Sequence, residues 1–157
     1  FCDNKSKVNA TIANQLALYL TMYSPLQMAA DFPEHYEQFA DAFQFIKDVA
    51  IDWQKSKYLL AEPGDYIVVA RKAKKTGQWF AGGVTDENGR TLDVPMNFLD
   101  PGKTYIAKIY ADAPDADYQK NPQAYVISEK EVTSESVLPM TMARGGGFAI
   151  EFTEVNQ

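Results

Sequence analysis

Two periods of hydrophobic spacing divide the chain. From residue 11 to about residue 50 the apolar positions recur every three or four residues, and beyond Trp53 they alternate. In "TIANQLALYLTMY" (11–23), Ile12, Leu16, Tyr19, Leu20 and Tyr23 fall on one helical face. Thr11 or Asn9 can cap its start, and Pro25 cannot continue its hydrogen-bond ladder. "PLQMAA" (25–30) is an apolar run bounded by Pro25 and Pro33. Such a run suits a buried parallel strand, although periodicity alone does not separate it from a helical turn. "PEHYEQFADAFQFIKDVA" (33–50) predicts a second helix, with Pro33 at its first position and Glu34 and Glu37 where the helix dipole favours acids. Tyr36, Phe39, Phe43 and Ile46 form its apolar stripe.

The alternating part predicts strands near 56–61, 65–73, 78–85, 90–98, 103–111, 123–132, 136–142 and 147–153. "EPGD" (62–65), "DENG" (86–89) and "DPGK" (100–103) supply the Pro, Gly and Asn that tight turns need. Eight short strands at this spacing predict an antiparallel β-sandwich, so the expected class is mostly β with N-terminal helices. Val69, Phe80, Val84, Ile109, Ile127 and Ile150 sit on apolar faces and are the expected core. The change of period sets the expected division at 1–52 and 53–157.

Composition narrows the classes. With 157 residues the chain can bury a full core, and its net charge of −6 argues against nucleic acid. No apolar run approaches the ~20 residues that span a bilayer. Cys2 is the single cysteine, which excludes an intrachain disulfide and a cysteine metal cluster. The chain starts at Phe1 with no signal peptide, and so reads as an internal or processed start.

Candidate chemistry is sparse. His35 is the one histidine, near Glu34 and Glu37, on a helix surface. Asp112, Asp115 and Asp117 in "DAPDADY" are clustered carboxylates, but without EF-hand spacing they read as a solvated turn. Trp79, Phe80, Tyr105, Tyr110, Tyr118 and Tyr125 would make a sugar-stacking platform if exposed on one face; in strands such rings more often fill cores. "RGGG" (144–147) lies between strands with no helix to follow, which favours a bulge or tight hairpin over a phosphate loop. Glu62, Glu129, Glu131 and Glu135 form no pair that the sequence brings together.

Several long strings carry a resemblance. "ANQLALYLTMYSPLQMAADFPEHYEQFADAFQFIKDV" resembles the end of the catalytic barrel of bacterial glycoside hydrolase family 97, which contains α-glucosidases and α-galactosidases, typically of the Bacteroides group. "DYIVVARKAKKTGQWFAGGVTDENGRTLDVPMNFLDPGKTYIAKIYAD", "DADYQKNPQAY" and "GGGFAI" resemble the same family's C-terminal β-sandwich, which is implicated in oligomerisation. The resemblance covers nearly the whole chain. It implies that "PLQMAAD" is the last strand of a (β/α)8 barrel and that the flanking helices belong to that barrel. Asp31, at the end of that strand, is then a candidate for the parent enzyme's pocket, although a helix-capping or loop Asp before Pro33 is the favoured reading.

The family's catalytic carboxylates and calcium ion lie, on this resemblance, upstream of residue 1. The implied function is therefore a non-catalytic C-terminal region of an enzyme of α-glucosidase type acting on starch or α-glucans, with domain packing and oligomerisation as its work. A carbohydrate-binding module is the alternative. No cofactor is expected in this chain, and a periplasmic or cell-envelope location in a Bacteroides-type bacterium is implied. The expected partners are the upstream barrel, further copies of the chain and carbohydrate. With the other barrel strands missing, Ile12, Leu16, Tyr19, Leu20 and Tyr23, with Leu26 and Met28, would form an exposed patch. The first helix is then expected to pair with another copy, while the second packs on the sandwich through Phe39, Phe43 and Ile46.

Overall fold

The computed structural model describes residues 8–24, 26–29 and 32–155. Three helices, α1 (Ile12–Thr21), α2 (Pro33–Glu37) and α3 (Ala40–Asp48), precede eight strands. The strands are β1 (Trp53–Glu62), β2 (Tyr66–Ala73), β3 (Trp79–Thr85), β4 (Arg90–Pro95), β5 (Thr104–Asp112), β6 (Tyr125–Thr133), β7 (Val137–Met142) and β8 (Gly147–Glu154). All pairings are antiparallel, in a six-stranded sheet of order β1-β2-β3-β8-β5-β6 and a two-stranded ribbon of β4 and β7. The fold is an antiparallel β-sandwich of unequal halves. Turn chemistry fixes its register: Pro63 and Gly64 bring the Asp65 amide to the Glu62 carbonyl at 3.0 Å, closing the β1–β2 hairpin.

The large sheet is covered on both faces. On one face Val68, Ala70, Ala81, Ile109, Phe148, Ile150 and Phe152 pack against Val94, Leu138, Met140 and Met142 of the ribbon and Met96, Phe98 and Leu99 beyond β4. On the other face Phe80, Tyr110 and Ala149 receive Ile12, Leu16 and Leu20 of α1 and Ala42 and Phe45 of α3. Phe45 meets Phe80 and Tyr110 edge-on, with ring centroids 6.4 and 5.3 Å apart. The helices and the sheet thus share a core across the division expected at residue 52.

This layering redistributes the expected core residues. Ile109 and Ile150 face the ribbon, whereas Val69, Phe80 and Ile127 face the helices. Val69, Phe80, Ile109 and Ile150 are buried; Val84, near the end of β3, and Ile127, on the edge strand β6, are only half-buried. Residues 68–71 of β2 and 79–83 of β3 are buried without interruption, because a strand covered on both faces has no solvent side to alternate with.

Three expectations about the first 50 residues are corrected. Residues 26–29 form no strand, and Leu26 and Met28 are exposed, since no described strand lies beside them to take their backbone groups. The second helix is two, broken at Gln38–Phe39, where Phe39 adopts φ −131° and ψ 44°. The break changes the buried face of α3 to Ala42 and Phe45, leaving Phe43 half-buried and stacked on Tyr36 at 4.3 Å. Last, the expected patch does not form on α1: Ile12, Leu16 and Leu20 are buried against the sheet and Tyr19 is half-buried, so of its members only Tyr23, Leu26 and Met28, beyond the helix, are exposed.

Candidate functional site

The polar chemistry of the described residues concentrates at the two ends of α1, where side chains from distant strands hold the helix on the sheet. At its start Thr11 is the cap residue, and its hydroxyl accepts from the Asn14 amide at 3.2 Å. The Thr11 amide donates to the Gly145 carbonyl (3.1 Å), and the Asn14 side-chain amide donates to the Gly146 carbonyl (2.9 Å). The "RGGG" loop between β7 and β8 is therefore a seat for the helix N-terminus, a role its local sequence does not announce.

Asp112, at the end of β5, holds that loop from beneath. Its Oδ2 accepts the Ala143 amide at 2.9 Å and the Gly147 amide at 2.8 Å, while Oδ1 is buried without a partner. The loop closes this tightly because it is built from glycine. Gly145 sits at φ +61°, and a Cβ on Gly146 would stand 1.9 Å from the Asp112 carboxylate. Burial pushes the Asp112 carboxyl above its ordinary range, against the lowering pull of the Thr11 hydroxyl and the Ala143 and Gly147 amides.

That shift has a sign that can be checked. A carboxyl whose pKa is higher folded than unfolded contributes stability below its unfolded pKa and loses it as pH rises through the folded value. Asp112→Asn keeps the acceptor oxygen but cannot ionise. Its stability relative to the parent chain should therefore rise between pH 4 and pH 7, read as the difference in urea midpoints. A flat or falling difference would show that the buried charge carries no penalty.

At the other end of α1, Arg71 of β2 reaches across. Its Nε donates to the Leu20 carbonyl at 2.6 Å and its Nη1 to the Ser56 hydroxyl at 2.5 Å. A guanidinium is favoured at a helix C-terminus, where carbonyls lack partners, and α1 carries no basic residue in its own last turn. Arg71 is only 3% exposed, yet no carboxylate pairs with it among the described residues. It lines a pocket of about 380 Å3 with Tyr23, Trp53, Ser56 and Tyr58. α3 is tied more simply: the Tyr125 hydroxyl donates to Asp41 at 2.5 Å, which lowers the Asp41 pKa and helps burial raise that of Tyr125.

The residues singled out from sequence are dispersed. Asp31 lies outside the described residues. His35 is half-buried on α2, with Phe32 edge-on to it. Asp115 accepts from Asn121, and Asp117 accepts from the Gln119 and Lys120 amides and from Arg144. With Asp112 committed to the loop, the three do not converge, and no group of three or more His, Cys, Asp or Glu among the described residues could hold a metal ion. The sugar platform does not form from the expected rings, because Trp79, Phe80, Tyr105 and Tyr110 are buried. Glu62, Glu129, Glu131 and Glu135 are all exposed, with no pair facing across a cleft. Arg71 is the residue that strand patterning missed, and Asp112, read there as part of a solvated turn, is instead the buried support of the glycine loop. A charged residue inside a buried run such as "YIVVARKA" was the available signal.

Comparison with known proteins gives a consistent result. The family profile described as "Glycosyl-hydrolase 97 C-terminal, oligomerisation" matches residues 52–153. A retaining alpha-galactosidase of Bacteroides thetaiotaomicron is 31% identical over 150 residues, covering 96% of this chain and 22% of that protein. A probable retaining alpha-galactosidase of Streptomyces bingchenggensis is 29% identical over 140 residues, covering 89% of this chain and 20% of that protein. The solved structure of a glycoside hydrolase family 97 enzyme from Pseudoalteromonas sp. strain K8, in complex with acarbose, superposes with TM-score 0.92 at 46% identity, covering 94% of this chain and 23% of that one. The chain thus spans about a fifth to a quarter of the length of the relatives it matches. No helix among the described residues is long and apolar enough to cross a membrane.

Proposed function

This chain belongs to the C-terminal oligomerisation domains of glycoside hydrolase family 97, and we propose that it serves such an enzyme as a scaffold, without catalysing hydrolysis itself. The family match over residues 52–153 carries this reading. The two clamps on α1 give it a physical form. They fasten the segment that precedes the sandwich onto the sheet, so the sandwich and whatever that segment leads to move as one body. Self-association of the enzyme then uses surfaces other than Ile12, Leu16 and Leu20, which are already buried.

The catalytic carboxylates and the calcium ion belong, on this reading, to the rest of the enzyme, as the family resemblance implies. The same family enzyme from Pseudoalteromonas was also solved with panose, an α-linked glucose trisaccharide, at 46% identity to this chain. That identity exceeds the 31% to the retaining alpha-galactosidase, which supports α-glucosides as the parent's substrates. We place the enzyme in the periplasm or cell envelope, by the family resemblance.

The 157-residue chain should release no nitrophenol from nitrophenyl α-glucoside or α-galactoside, with or without calcium, whereas the full-length enzyme should turn over one of them. A rate above buffer that disappears on replacing one carboxylate of this chain would overturn the scaffold reading. Light scattering of the full-length enzyme gives the second check, and a strict monomer at high micromolar concentration would remove the oligomerisation role.

A further inference from the structure

The Asp86–Gly89 turn holds a reactive pair that neither the sheet nor the clamps on α1 use. Asn88 and Gly89 are the only Asn-Gly pair in the sequence, and both residues are exposed. Asparagine is chemically labile, and the backbone nitrogen that follows it decides how labile. Here that nitrogen belongs to a glycine, so no Cβ shields it from the Asn88 side chain. The Gly89 amide also makes no hydrogen bond among the described residues, which leaves it unengaged. Asn97 is exposed too, but its successor is the bulky Phe98, buried at 3% exposure.

The turn is wired to the glycine loop. Asn88 donates its backbone N–H to Asp86 Oδ1 at 3.0 Å and its Nδ2 to Asp86 Oδ2 at 2.9 Å, and Arg90 Nη2 donates to the same carboxylate at 2.6 Å. The Gly145 amide in turn donates to the Asp86 carbonyl at 2.8 Å, and Arg144 Nε to the Glu87 carbonyl at 3.1 Å. Asn88 thus braces Asp86, and Asp86 braces the loop that receives Thr11 and Asn14.

We propose that Asn88 is a site of intramolecular deamidation, and that loss of its side-chain amide loosens the seat of α1 through Asp86. The Gly89 nitrogen gives its proton to solvent and attacks Asn88 Cγ. The new N–C bond closes a succinimide ring as the Cγ–Nδ2 bond breaks, and Nδ2, protonated by solvent, leaves as ammonia. Water then opens the ring at either carbonyl, giving aspartate or isoaspartate at position 88. Water is the only reactant consumed and ammonia the only group released.

Either product replaces the Nδ2 donor with a carboxylate beside that of Asp86. The Asn88 backbone and side-chain amides, and after them Arg90, hold the Asp86 carboxyl below its ordinary range. After the reaction Asp86 has lost a donor and gained a like charge. Isoaspartate also inserts a methylene into the main chain just before Gly89. There is little room for it: a Cβ on Gly89 would already stand 3.3 Å from the Met142 carbonyl oxygen and 3.4 Å from the Arg144 nitrogen. The turn must shift, and the carbonyls that hold Gly145 and Arg144 shift with it.

The test ages the full-length enzyme in its folded state at neutral pH and follows the peptides carrying Asn88 and Asn97 by mass spectrometry. Asn88 should convert at least about tenfold faster than Asn97, a barrier difference of about 1.4 kcal/mol. Its products should include isoaspartate, which only the ring can give. Gly89→Ala should slow the conversion by a similar factor, because a Cβ at position 89 hinders the attack. Hydrogen exchange over residues 11–17 reads the seat directly, since the Thr11 amide donates to the Gly145 carbonyl. Exchange there should be about tenfold faster in the aged enzyme and in Asn88→Asp than in fresh enzyme, equivalent to about 1.4 kcal/mol less protection. On ageing, Gly89→Ala should keep the exchange rate it has when fresh.

Conversion of Asn88 no faster than that of Asn97, or only after unfolding in urea, overturns the site. Conversion to aspartate alone, undiminished by Gly89→Ala, overturns attack by the backbone nitrogen in favour of direct hydrolysis of the side-chain amide. Unchanged exchange over residues 11–17 in both the aged enzyme and Asn88→Asp overturns the coupling to α1.

Discussion

A chain carrying Leu16→Asp is expected to lose its folded state. Leu16 is 1% exposed and sits in the middle of α1, against the sheet face that holds Phe80, Tyr110 and Ala149. Truncating such a residue to Ala costs about 2–5 kcal/mol, from the lost transfer energy and the cavity left behind. Asp adds a carboxylate with no cation within the cluster, so it must either ionise in an apolar layer or fold protonated. The sum, about 5 kcal/mol or more, is comparable to the whole stability of an ordinary domain. Urea titration followed by circular dichroism should show no cooperative transition for Leu16→Asp at pH 7, and a weakened but clear one for Leu16→Ala. A folded Leu16→Asp chain with an unshifted midpoint would mean that α1 is not seated on the sheet.

Gly146→Ala carries the second-largest expected effect for a single methyl group. The added Cβ would stand 1.9 Å from Asp112 Oδ2 and 2.7 Å from the backbone N and O of Ala143. Backbone cannot yield as a flexible side chain does, so the loop must open. Opening removes the carboxylate from the Ala143 and Gly147 amides, at about 1–3 kcal/mol for each buried donor left unmet. It also withdraws the carbonyl that the Asn14 side chain uses. Gly102 is the internal control, with φ +77° but open space around its Cβ position. Gly102→Ala should cost about 1–2 kcal/mol, the strain of a left-handed residue alone. Thermal melts should place Gly146→Ala at least twice as far below the parent chain as Gly102→Ala. Equal shifts would mean that the seat tolerates a methyl group and does not constrain the helix.

The strands were legible because their signals are local. Alternation and the turns at Glu62–Asp65, Asp86–Gly89 and Asp100–Lys103 lie within a few residues of what they determine, and β2, β3, β5, β6, β7 and β8 begin and end within about two residues of the spacing-based expectation. What failed depends on partners far along the chain. "PLQMAA" reads as a buried strand only if neighbouring strands exist to pair with it. Val69 and Ile109 carry the same apolar signal, and nothing local says that one faces helices and the other a ribbon. Arg71 stands in "ARKAKK", where a basic run ordinarily means a solvated face, and only the position of the Leu20 carbonyl, 51 residues away, makes it a buried cap. Asp112 likewise resembles its neighbours Asp115 and Asp117 until the glycine loop closes over it. The candidate site was therefore the least legible part, since most of its contacts join elements far apart in the chain.

The strand order has a consequence for how the enzyme is made. β8, the last of the described strands in chain order, does not sit at an edge; it lies between β3 and β5 in the middle of the large sheet. Until it arrives, β3 has only β2 beside it and β5 only β6, so the nascent large sheet is a three-stranded piece, β1-β2-β3, and a β5–β6 hairpin with a gap between them. The loop before β8 supplies Gly145 and Gly146, so α1, the first described element of this chain, waits for residues about 130 positions later to secure its N-terminus. A polypeptide cut short after residue 142 would keep the three described helices and seven of the eight described strands, yet have neither a continuous sheet nor a seat for α1. Emergence of residues 147–154 is thus built into the architecture as a condition for assembling this region, and copies terminated before them should surface as unfolded material for proteolysis rather than as slightly shortened domains.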